Sequence, residues 1–98
     1  MTTGLSQLCT HGRLQWIGPE LGWLAEPGEV VAALCHDGFQ ECKHEVARSR
    51  RDRRPAGGVW QGLNSETGSV ASAIWVSLPE QPSALVFIDI DGERVQAR

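Results

Sequence analysis

Asp91-Gly92 separates two runs with strand character, Leu85-Val86-Phe87-Ile88-Asp89-Ile90 and Glu93-Arg94-Val95-Gln96-Ala97. A two-residue hairpin turn needs positive φ at both positions, which Asp and Gly tolerate, so this dipeptide fixes a register. It predicts that Ile90 pairs with Glu93, Asp89 with Arg94, Ile88 with Val95 and Val86 with Ala97. One face then collects the aliphatic residues, and the other sets Asp89 opposite Arg94, a favourable cross-strand charge pair. Val59-Trp60-Gln61-Gly62-Leu63 and Val70 through Leu78 read as two further strands, joined by the turn-rich Asn64-Ser65-Glu66-Thr67-Gly68. Residues 59–97 are therefore expected to form a four-stranded antiparallel meander.

The first half is less regular. Arg13-Leu14-Gln15-Trp16-Ile17 reads as a strand ending at Gly18-Pro19, and Glu26-Pro27-Gly28-Glu29 as a turn. Glu29 through Cys35 is a buried element too short for periodicity to separate strand from helix. Residues 37–54 admit two incompatible readings. In one, Asp37-Gly38 is a hairpin turn that brings Cys35, Cys42 and His44 onto one face. In the other, Asp37 caps a helix, Gln40 completes the capping box, and Phe39, Cys42 and Val46 follow at helical spacing. Acids in the early turns and arginines in the late ones match the helix dipole, so an amphipathic helix over 38–52 is the preferred reading.

Together these elements predict a single α+β domain over residues 1–98, with an all-β barrel or roll as the alternative. Ninety-eight residues leave room for one core and not two. An apolar fraction of 41% with 21% charged residues suits a folded chain rather than a disordered one. No apolar run reaches the ~20 residues of a membrane-spanning helix, and the first residues lack the pattern of a signal peptide. Three cysteines, an odd number, fit a reducing compartment, so a cytoplasmic location is expected. Arginine outnumbers lysine eight to one, which associates with a GC-rich bacterial coding sequence.

Charge is unevenly distributed. Arg48, Arg50, Arg51, Arg53 and Arg54, with one acid, Asp52, among them, give one short stretch a charge of +4. Four basic and eleven acidic residues leave −7 on the rest of the chain. A negative body repels polyanions at long range, while a local arginine cluster can still grip carboxylate or phosphate through its planar forks. These five arginines are the predicted contact with an acidic protein partner, and nucleic acid is the alternative ligand of the same cluster. Trp16 and Trp23 flank an apolar, turn-rich segment and are the predicted secondary anchors, because tryptophan and arginine are enriched in interface hot spots. Trp60 and Trp75, in predicted strands, are assigned to the core. Self-association through unpaired edge strands is a further expectation.

Each cysteine has a histidine within two positions: Cys9 with His11, Cys35 with His36, and Cys42 with His44. Thiolate and imidazole suit tetrahedral zinc, so a metal-stabilised protein is the third reading. The spacing matches no small zinc module, and the three thiols are expected instead as small buried apolar groups beside surface histidines. No nucleophile elbow, phosphate loop or dinucleotide fingerprint occurs, so no catalytic residue and no cofactor are assigned. The reading that results is a non-enzymatic binding or accessory protein.

Overall fold

In a computed structural model describing residues 4–97, two helices and seven strands alternate as α1 (Leu5–Thr10), β1 (Gln15–Gly18), β2 (Gly22–Ala25), α2 (Pro27–His36), β3 (Gln40–Arg48), β4 (Pro55–Leu63), β5 (Val70–Ser77), β6 (Ala84–Ile90) and β7 (Glu93–Arg94). The strands form one open antiparallel sheet in the order β1-β2-β6-β5-β4-β3, with β7 on β6. Its two edges, β1 and β3, do not meet. The barrel alternative is thereby excluded.

The 38–52 helix is the main correction. Those residues form β3, which pairs with β4 from Gln40↔Leu63 to Arg48↔Pro55. The helical stripe does not become a buried face: Phe39 is buried at the entrance to the strand, whereas Cys42 and Val46 are exposed. Long-range pairing overrides local propensity here, as sheet context commonly does. Asp37 caps a different helix from the one expected, because its Oδ2 accepts the Leu5 N–H at 3.1 Å, at the start of α1. The alternative hairpin at Asp37-Gly38 is also wrong in its partner, since the preceding element is α2. Gly38 (φ 108°) turns the chain out of that helix, a conformation favouring glycine.

Glu26-Pro27-Gly28-Glu29 is a helix start and not a free turn. Pro27 opens α2, where its missing N–H costs nothing and its fixed φ suits the helix. The C-terminal hairpin forms with the expected pairs Asp89↔Arg94 and Ile90↔Glu93, but β7 is only two residues long. β4, β5 and β6 pair in the expected succession, but the fourth strand of the expected meander is cut to the two residues of β7, and β2 takes the edge of β6 farther along through Trp23↔Val86, Leu24↔Leu85 and Ala25↔Ala84. From β3 to β6 each strand pairs with the next in sequence, and the one non-sequential neighbour pair of the sheet is β2 with β6.

The core lies between the helices and one face of the sheet. Val30, Leu34, Trp60, Val86 and Ile88 are completely buried. Two glycines make room for the indoles. A Cβ on Gly62 would lie 2.3 Å from the Trp60 ring, and one on Gly58 would lie 2.3 Å from the Trp75 ring. Small partners continue the pattern on β5, where Ala71 and Ala73 are buried beneath the same layer. The inner face is thus fitted large against small, the arrangement that native packing density requires.

Candidate binding site

The arginines lie at the tip of the β3–β4 hairpin. Residues 49–54 form a hydrogen-bonded turn: Ser49 N–H donates to Arg54 O at 2.9 Å, and Arg53 N–H donates to Ser49 O at 3.1 Å. The Ser49 hydroxyl accepts the Arg51 N–H at 3.3 Å, and Asp52 Oδ1 accepts the Arg54 N–H at 3.1 Å. Short polar side chains that bind backbone two residues on are what allow the chain to reverse here. Arg53 adopts φ 59°, a left-handed conformation uncommon for a side chain of its size.

Asp52 is the one acid in the turn. Arg54 Nε donates to its Oδ2 at 2.7 Å, and this bond, helped by the Arg54 backbone N–H, holds the carboxyl below its ordinary value of 3.8. Arg48 donates from its guanidinium to Arg53 O at 3.2 Å, which ties the strand end to the turn. Among the described residues no carboxylate comes within ion-pair distance of Arg48, Arg50, Arg51 or Arg53. All five arginines are exposed. The turn faces the β5–β6 loop across a cleft of about 570 Å³ lined by Ser49, Arg54, Pro55, Leu78, Pro79 and Glu80. Arg54 with its bound Asp52, an apolar floor and the opposing Glu80 therefore share this cleft, and Arg50, Arg51 and Arg53 are not among its lining residues.

The predicted tryptophan anchors do not join this site. Trp23 is 2% exposed, and its indole N–H donates to Val95 O at 2.9 Å, so it is a core residue. Trp16 is half-buried and packs edge-on against Trp23 with ring centroids 5.0 Å apart. It stands on β1, five interstrand steps from β3, or roughly 24 Å at about 4.8 Å per step. A single small contact cannot use both. Trp60 and Trp75 are buried, as expected.

The thiols are exposed rather than buried: Cys9 and Cys35 on helices, Cys42 at a bulge in β3. Among the described residues no three potential metal ligands come together, so the Cys/His pairs form no metal centre there. His44 instead contacts Glu41 (Nδ1–Oε1 3.3 Å) and lies edge-on to Trp75. That same Glu41 oxygen accepts the indole N–H of buried Trp60 at 2.8 Å. A carboxylate is thus used to satisfy a buried donor, which explains an acid that the helical reading assigned to a dipole.

Sequence reasoning missed one larger feature. The face of the sheet opposite the helices carries exposed Val76 (59%), Val70 (50%), Ile74 (48%) and Leu63 (42%). Its signal was present in the runs Ala73-Ile74-Trp75-Val76 and Leu85-Val86-Phe87-Ile88, where apolar residues occupy both alternating faces. No helix among the described residues is long and apolar enough to cross a membrane. Comparison of the chain with protein-family models, with curated proteins and with solved structures returns no match.

Proposed function

We propose that this is a non-enzymatic binding protein of a reducing compartment, whose arginine turn receives an acidic segment of a protein partner. The observation that supports it most is the state of the turn: Arg50, Arg51 and Arg53 have no carboxylate partner among the described residues, and Asp52 is already engaged by Arg54. Guanidinium forks left in this state are suited to carboxylate oxygens supplied from outside. Hydrogen bonds within the turn fix the backbone that carries these cations, so binding costs less ordering than on a free tail. Beside them Pro55, Leu78 and Pro79 offer an apolar floor for the remainder of such a segment.

An acidic peptide fits this site better than nucleic acid for an electrostatic reason. The rest of the chain carries −7, and Glu80 lines the cleft itself, so an extended polyanion meets repulsion away from the tip. The test is titration of a fluorescent poly-glutamate peptide, and in parallel of duplex DNA and single-stranded RNA, into wild type and an Arg50→Glu/Arg51→Glu/Arg53→Glu variant. Salt-sensitive peptide binding that the triple variant loses is the expected result. Equal peptide affinity for both proteins, or tighter binding of nucleic acid than of peptide, overturns the reading.

A further inference from the structure

We infer that the uncovered face of the sheet is the contact with a second copy of this chain, packed face to face about a twofold axis parallel to the strands between β4 and β5. The register defines what lies on that face. Nearest the arginine turn is the row Ala47–Gly57–Val76–Leu85. The next is Glu45–Val59–Ile74–Phe87, and the third Lys43–Gln61–Ser72–Asp89. Such an axis keeps each row at its own level and exchanges β3 with β6 and β4 with β5.

Under that operation each row meets its complement. Val76, the most exposed of the large apolar residues, comes opposite Gly57, which has no side chain. Around Gly57 the surface sinks into a depression of about 430 Å³ whose rim includes Ala47, Val59 and Ile74. Val59 meets Ile74 in the second row. The charges agree as well. Lys43 comes opposite Asp89, and Glu45 opposite Phe87, over whose ring the Arg94 guanidinium sits at 4.4 Å. A plus–minus pair on β3, Lys43 and Glu45, thus faces a minus–plus pair on β6 and β7, Asp89 and Arg94. A surface that is its own complement in shape and charge is what an isologous dimer requires.

The extent is sufficient. Four strands at about 4.8 Å spacing and the ~20 Å from Val70 to Val76 give roughly 400 Å² in projection. Side-chain relief takes this toward the ~600 Å² per partner of small specific interfaces. Two twisted sheets stacked this way lie ~10 Å apart with strands inclined by about 30°. Pairing of β3 edges is the competing geometry, but that edge carries Lys43, Glu45 and a bulge between Glu41 and Lys43, which are devices that block strand addition. The chosen axis also places both arginine turns at the same end of the dimer.

The experiment is sedimentation equilibrium of the full chain, with circular dichroism checking the fold of each variant. Wild type is expected at twice its 10.7 kDa at micromolar concentrations, and Ile74→Lys/Val76→Asp at its monomer mass. Lys43→Glu and Asp89→Lys, each alone, set like charges across both halves of the interface and weaken the dimer about tenfold or more. Mixed together, they restore opposite charges at both positions, so the mixture dimerises more tightly than either alone. A wild type that stays monomeric, a dimer that Ile74→Lys/Val76→Asp leaves intact, or a mixture no tighter than its components overturns the proposal.

Discussion

The two faces of β5 make opposite use of one strand. Inward, Ala71, Ala73 and Trp75 are buried, and outward, Val70, Ile74 and Val76 are about half exposed. The inner residues are mostly small because they lie beneath two indoles, and the outer ones are large although no helix covers them. Hydrophobicity alone therefore does not locate the core. Fit does: the inner face alternates volume with its neighbours, and the outer face presents volume outward.

Breaking the inner face has the largest expected effect. Trp60→Ala removes a completely buried indole and should destabilise the fold by ~3–5 kcal/mol in denaturant unfolding. Gly62→Ala tests the fit from the other side. Its methyl would sit 2.3 Å from the Trp60 ring, and the overpacking should cost ~1–3 kcal/mol. Glu41→Ala leaves the buried Trp60 N–H without its acceptor, a loss of ~1–3 kcal/mol that Glu41→Gln should largely recover.

Polar substitution outside sharpens the contrast. Ile74→Ser at concentrations where the chain is monomeric should cost only ~1 kcal/mol, because about half of the side chain is already in water. At higher concentrations the same variant should lose any concentration dependence of melting. The smallest effect belongs to the arginine turn. Asp52 has a lowered pKa, so its contribution is present above the ordinary carboxylate range and is lost as pH falls through the lowered value. The solvent around this exposed pair keeps that effect local, visible as movement of the Arg54 Nε–H resonance in acid, and absent in Asp52→Asn.

Legibility followed the range of the interactions. The Asp91-Gly92 turn and its two nearest pairs could be read because hairpin geometry is local. Val95 keeps part of its expected pairing, its N–H donating to Ile88 O at 2.7 Å, but the place of Ala97 opposite Val86 could not be read, since β2 arrives from far along the chain to pair there. Gln40–Arg48 failed for a related reason: its helical signals were all local, and the β4 ladder that overrode them lies across a turn rich in arginine. The exposed arginines were legible because five like charges in so short a stretch have nowhere to go but water. Trp23 was not, because flanking residues do not reveal that an indole N–H ends on Val95 O.

In the proposed dimer the outer face is satisfied by an identical partner. Filtered nuclear Overhauser spectra of an equal mixture of isotopically labelled and unlabelled chains probe this without any substitution. Intermolecular contacts joining the methyls of Val59, Ile74 and Val76, and none to the amides of β3, are the predicted result. Contacts confined to β3, or no intermolecular contact at concentrations where association is measured, would contradict it.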